Sequence, residues 1–192
     1  MVPVPATPAP ESADRADREL VERLRRDDTA ALNLLLRRYW GPLLHYIVRL
    51  TESRDAAEDI CQHTFCHLWE RRQDLRITGS LRGLIYRIAR NFAISEHRHH
   101  NTEVRVGGLL AQWTAAAPTP LDNLESAQLR EDLSHAIDEL PARRREVFIL
   151  RCVHELSYKD IAEIMGTSTQ TVANQCSHAL ATLRRILAHQ LD

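Results

Sequence analysis

The sequence predicts an all-α chain of two small helical domains joined by a flexible linker, the second domain a helix-turn-helix. Three observations carry this. Apolar residues recur at helical spacing along most of the 192 residues, and 5% aromatic content with six glycines disfavours an all-β fold. Residues 104–124 (VRVGGLLAQWTAAAPTPLDNL) change to paired glycines, an alanine-rich run and two prolines, the composition of a linker. Residues 156–187 hold two short amphipathic segments around a glycine, the pattern of two helices crossing closely.

Taken in order, residues 1–13 are rich in proline and alanine and are expected to be a disordered tail. A helical period starts at Asp14, with Leu20, Leu24, Ala31, Leu34, Leu35 and Tyr39 on its apolar face. Asp27-Asp28-Thr29 divides it into two helices, with Asp28 or Thr29 as the second N-cap. Gly41-Pro42 is expected to interrupt again, leaving 43–50 as a third helical stretch. Residues 54–72 read as a fourth helix, with Ala57, Ile60, Cys61, Phe65, Leu68 and Trp69 in a broad stripe and a charged opposite side. A loop at 74–80 precedes a helix at 81–98. In that helix Leu84, Ile85, Ile88, Ala89, Phe92 and Ala93 are expected to face a core. Arg82, Tyr86, Arg87, Arg90, Asn91, His97 and Arg98 fall on its other sides. Arginines alternating with an aromatic ring suit a nucleic-acid surface, where guanidinium meets phosphate and a ring stacks on an unpaired base; the plainer alternative is a solvated basic face.

The linker at 104–124 contains Leu109, Leu110 and Trp113, too apolar for a purely solvated tether, so a partner can bind it. A helix is expected at 125–139, and Leu140-Pro141 opens another at 142–153. Ser157 caps the first helix of the helix-turn-helix, with Asp160 completing a capping box in place of glutamate. Ile161, Ala162 and Met165 form its stripe, and Gly166 supplies a left-handed turn. Thr167, Ser168 and Thr169 offer caps for the second helix, whose apolar positions are Val172, Cys176, Ala179, Leu180 and Leu183. Thr169, Gln170, Thr171, Asn174, Gln175 and His178 remain for its exposed side. Amides match the paired donor and acceptor of an adenine edge, and hydroxyls bond phosphate or base. The alternative is a helical hairpin with an ordinary polar face.

Bulk properties add limits. The formal charge is −1, yet residues 76–105 hold six arginines against two glutamates, so basicity is local. Arginines number 24 against the single Lys159. The four cysteines, Cys61, Cys66, Cys152 and Cys176, are scattered without a disulfide framework, which suits a reducing compartment. Val-Pro-Val-Pro does not open a secretory signal, and no apolar run is long enough to span a membrane. His63, Cys66 and His67 share a helix face at i, i+3 and i+4, leaving zinc binding open. No general acid or base stands beside them in an HExxH-like arrangement, so no catalytic site and no cofactor are expected.

Three segments, in order, resemble bacterial RNA polymerase sigma factors of the extracytoplasmic-function type. DAAEDICQHTFCHLWERR is similar to the family's core-binding helix, SLRGLIYRIARNFAISEHRHH to its promoter-melting helix, and ELPARRREVFILRCVHELSYKDIAEIMGTSTQTVANQCSHALATLRR to the domain that binds the minus-thirty-five element. The resemblance spans roughly residues 20–190. It implies a region 2-like domain at 14–103 and a region 4-like domain at 125–192. It also implies a cytoplasmic protein with no activity of its own that binds core RNA polymerase and promoter DNA, with an anti-sigma factor as a further partner able to hold it at the membrane. Carried over by position, Asp59, Gln62, Phe65, Leu68 and Trp69 match the docking helix. Arg82, Tyr86, Arg87, Arg90, Asn91 and Arg98 match the melting helix. His63 stands where relatives often carry an acid, and Leu81 and Leu84 replace common aromatics, which leaves Tyr86 as the stacking candidate. Ala173 and Gln175 occupy positions often basic in relatives, so phosphate anchoring passes to Arg143, Arg144, Lys159 and Arg184. A rival reading, a regulator using the helix-turn-helix alone, leaves the two earlier segments unexplained.

Overall fold

The computed structural model describes residues 10–75, 77, 79–100 and 132–190, with side chains at 10–14, 97–100 and 189–190 outside the description. Among these residues there is no strand. The chain divides into two compact units, Met1–Thr102 and Glu103–Asp192. The expected linker at 104–124 and the first half of the helix expected from 125 lie outside the described residues.

The first unit contains α1 (Pro10–Arg25), α2 (Thr29–Thr51), α3 (Arg54–Glu70) and α4 (Leu81–His100). Helix α1 begins four residues before the expected start at Asp14, because proline is well suited to a first helical position, where its missing N–H has no intrahelical partner to lose. Asp28 caps α2, its carboxylate accepting from the backbone N–H of Ala30 at 2.9 Å and of Ala31 at 3.4 Å.

The interruption expected at Gly41-Pro42 does not occur: α2 runs through it. Proline in a helix interior removes one rung and costs about 3 kcal/mol. Here Tyr39, Leu43, Tyr46 and Ile47 are buried on either side of it, at 2% exposure or less, against the rest of the unit. That burial is worth about 1.5–3 kcal/mol for each large side chain and outweighs the lost rung. Gly41 and Pro42 themselves face solvent.

Helix α1 is tied down by a buried carboxylate. Asp17, 5% exposed, accepts from the Tyr39 hydroxyl at 2.6 Å and the Arg38 guanidinium at 2.7 Å. Burial, and then that same hydrogen bond, push the Tyr39 phenol well above its usual value, so it stays a donor. Ser53 caps α3 through the Ala56 N–H at 3.3 Å, and the Ser80 hydroxyl accepts from the Gly83 N–H at 2.9 Å at the start of α4.

The second unit contains α5 (described over 132–138), α6 (Ala142–Phe148), a wide π turn (Ile149–Val153), α7 (Tyr158–Met165) and α8 (Thr169–Gln190). The continuous helix expected over 142–153 therefore loosens in its last part, where the His154 N–H reaches the Ile149 carbonyl at 3.1 Å. The Ser157 hydroxyl accepts from the Asp160 N–H at 3.0 Å and donates to the Asp160 carboxylate at 2.7 Å. Gly166, at φ +62°, turns the chain with its N–H on the Ala162 carbonyl. Ile161, Ala162, Val172, Cys176, Ala179 and Leu183 are buried between the helices. Met165 is only half-buried, Ile164 taking the inward position, and Leu180 is 38% exposed rather than core.

Candidate nucleic-acid interface

Burial of Val172, Cys176, Ala179 and Leu183 fixes the rotational phase of α8. At about 100° per residue, Gln170, Asn174 and His178 then point opposite to the core, and all three are exposed, as are Thr169 and Thr171. The Gln170 amide nitrogen donates to the Asn174 side-chain oxygen at 3.0 Å. The Asn174 amide nitrogen and the Gln170 carbonyl oxygen remain for an outside partner, a donor and an acceptor such as an adenine edge requires. Gln175 is half-buried, because it lies closer to the Val172–Ala179 stripe than its neighbours do. Ser168 caps the helix, accepting from the Thr171 N–H at 3.1 Å, so the first turn and its hydroxyls are fixed in place. Ser177 and Arg185 share the outward arc and are exposed, though neither was expected to contribute. Their signal was the same phase, which takes in Ser177 beside His178 and Arg185 two turns further along the helix.

Arg143, Lys159 and Arg184 are exposed and Arg144 is half-buried. Arg145 is committed internally, its guanidinium donating to the carbonyls of Asp138 and, at 3.1 Å, Leu140 across the turn between α5 and α6.

In the first unit, Asp59 and Gln62 are exposed on α3. Asp55, His63, Cys66 and Glu70 are exposed on the same helix, forming an outward ridge wider than the two expected residues. Phe65 is 3% exposed and stacks on Trp40 with centroids 6.0 Å apart, so it supports this ridge from inside the core. Trp69 is half-buried beneath the Arg72 guanidinium, 4.4 Å from the ring, and Arg72 also binds the Asp27 carboxylate.

Helix α4 corrects the expected phase. Leu81, Ile85, Tyr86, Ala89 and Ala93 are buried, whereas Leu84, Ile88 and Phe92 are half-buried on a flank. Tyr86 is 1% exposed, its ring 5.2 Å from that of Tyr46, so it offers no face for stacking on a base. The sequence pattern admitted two adjacent stripes on α4, and packing against α2 selected the one containing Tyr86. Arg82 is half-buried, its guanidinium 6.0 Å from the Tyr39 ring. Arg87 and Arg90 are half-buried and Asn91 is exposed, while the Arg98 side chain lies outside the described residues. The rings of His63 and His67 pack against Phe92 at 6.3 and 5.8 Å. Among the described residues no three potential ligands converge as a metal site would require. Nor is any described helix long and apolar enough to cross a membrane.

Two family models match the chain: Sigma-70 region 2 over residues 35–103 and Sigma-70, region 4 over residues 130–183. The chain is 31% identical over 157 residues to RNA polymerase sigma factor YlaC of Bacillus subtilis, covering 79% of this chain and 88% of that one. It is 27% identical over 172 residues to the ECF RNA polymerase sigma-E factor of Haemophilus influenzae, covering 85% and 90% respectively. Among solved structures it is similar to the sigma factor RpoE of Bartonella quintana, in complex with the anti-sigma factor NepR. The TM-score there is 0.62 and the identity 25%, over 85% of this chain and 98% of that one. With both regions present in order and the similarity running through most of its length, the chain belongs to the extracytoplasmic-function group of the sigma-70 family of RNA polymerase sigma factors.

Proposed function

We propose that this chain binds core RNA polymerase, directs it to specific promoters and helps open the DNA for transcription initiation. The observation that carries the reading is the pairing of regions 2 and 4 in one chain, the second presenting a capped helix whose outward face is amide- and hydroxyl-rich. A regulator that ignored polymerase would need only the second.

The roles divide by unit, with 14–103 and 125–192 as the working domains and 104–124 as their tether. The α3 ridge around Asp59 and Gln62, held up by Phe65 and Trp69, docks on core polymerase. Arg82, Arg87, Arg90, Asn91 and Arg98 meet the minus-ten DNA as it opens. Tyr86 holds α4 in position for this and does not touch a base. Gln170 and Asn174 read the minus-thirty-five element in the major groove, flanked by Thr169, Thr171, Gln175 and His178. Arg143, Arg144 and Lys159 anchor phosphates. Polymerase performs the chemistry, so the chain supplies recognition and no catalytic group. The anti-sigma complex of RpoE supports an anti-sigma factor as a further partner of this cytoplasmic protein. Run-off transcription with purified core polymerase on genomic promoter fragments tests the reading: discrete transcripts that require this chain support it. A protein that binds DNA without engaging core refutes it.

A further inference from the structure

Gln170 and Asn174 stand one turn apart on the outward face of α8, and their side chains are joined: the Gln170 amide nitrogen donates to the Asn174 oxygen at 3.0 Å. Among the described residues this is the one side-chain hydrogen bond that either makes. Such a pair on an exposed helix face adds little to stability. Its effect is on direction. An asparagine amide has nearly the same shape when turned over, but its oxygen accepts and its nitrogen donates. An unpaired Asn174 would present either end to a partner. Bonded to Gln170, it presents its nitrogen, while Gln170 keeps its own oxygen outward. The platform beneath is fixed: Val172 and Cys176 are 0% and 3% exposed, and the Ser168 hydroxyl accepts from the Thr171 N–H at 3.1 Å.

Resting on the assignment of α8 to the upstream element, we propose that Gln170 is the positioning residue that sets the Asn174 amide, so that the two read a single adenine as one unit. Among the four bases, only adenine carries an acceptor, N7, beside a donor, the N6 amino group, on its major-groove edge. The Asn174 nitrogen meets N7 and the Gln170 oxygen meets N6. Guanine in that place presents two acceptors, N7 and O6, and sets an oxygen against the Gln170 oxygen. The selectivity of a bidentate amide contact is here divided between two side chains and depends on the bond between them. Gln170→Glu inverts the pattern. A carboxylate cannot donate, so the Asn174 nitrogen turns inward to it and the pair shows acceptors only, which suit the cytosine N4 amino group. Gln170 is the second residue of α8, where an acid is favoured by the helix dipole, so this variant keeps the fold.

The test lets holoenzyme, formed from the full chain and core polymerase, select from a duplex library randomised over one helical turn upstream of the minus-ten element. Sequencing then reads the bound DNA. The parent should favour adenine at one base pair by roughly 5- to 150-fold. Gln170→Ala and Asn174→Ala should each flatten that same base pair, and the double variant should lose no more than either single one. Gln170→Glu should turn the preference there to cytosine, which a purely structural role for Gln170 would not do. Adenine preference that survives Gln170→Ala or Gln170→Glu overturns the proposal, as do single variants that act on different base pairs. So does a parent preference for any other base at the pair these variants alter. Selection unchanged in every variant overturns the assignment of α8 to the upstream element as well, so the two failures are told apart.

Discussion

The rings of Tyr46 on α2 and Tyr86 on α4 lie 5.2 Å apart, tilted by 32°, with both residues 1% exposed. This pair locks two helices of the first unit at its centre.

Tyr86→Ala should accordingly act on folding. Truncating a buried aromatic costs roughly 3–5 kcal/mol, so the urea midpoint of the first unit should fall clearly. Closed-complex formation and permanganate-reactive thymines at the promoter should then decline together. An unchanged midpoint with a loss confined to the reactive thymines would return Tyr86 to the DNA surface.

Asp59 and Gln62 are exposed, so replacing both with Arg should leave helicity and thermal unfolding nearly unchanged. Competition for core polymerase against an unmodified sigma factor should weaken several-fold. A double variant that competes equally would move the docking face off the α3 ridge.

Asn174→Ala should remove about 1–3 kcal/mol of discrimination at one or two base pairs of the upstream element. Lys159→Ala should instead weaken all sequences alike and reduce the salt slope by about one. Binding isotherms on singly substituted promoters at several salt concentrations separate the two. A sequence-selective loss for the Lys159 variant would overturn its assignment to phosphate.

Gly166 has φ +62° and open space where a Cβ would stand. Gly166→Ala therefore meets no clash and pays only for the left-handed backbone, roughly 1–2 kcal/mol. The second unit should unfold earlier by that amount while its base preference stays intact. A cost near zero would mean that the turn relaxes to another geometry.

The Arg23 guanidinium, 2.8 Å from the Asp28 carboxylate, holds that group below its usual value of 3.8. A depressed carboxyl stabilises the fold above its unfolded value, and that contribution fades as pH falls through the folded one. The stability gap between the parent and Asp28→Ala should thus be full at neutral pH and narrow only below about pH 4. A gap independent of pH would assign the loss to something other than the carboxylate charge.

The parts legible in the sequence were those decided locally. Ser157, Asp160 and Gly166 act within a few residues of themselves, and Asp28 caps the helix it precedes; each stands as the pattern implied. The exposure of Gln170 and Asn174 was legible because Val172, Cys176, Ala179 and Leu183 set the phase of α8, even though Leu180 departs from the stripe. Pro42 and Tyr86 were not, because in both cases a local rule lost to packing between helices. A turn signal was overridden by the buried residues around it, and a helix with two possible stripes took the one its neighbours fitted. The start of α1 differs for another reason: proline-rich composition marks a tail, whereas proline also opens helices, as Pro10 does here.

The continuity of α2 through Pro42 has a mechanical side. As a beam, α2 has one weak section, where the Arg38 carbonyl faces a residue with no N–H to offer. The section opens toward solvent at Gly41 and Pro42, while Tyr39 and Leu43 clamp the opposite edge. Bending should therefore concentrate there, and load applied at the Asp28 end should reach the Thr51 end attenuated. In amide hydrogen exchange the two halves of α2 should behave as separately protected segments meeting at this seam.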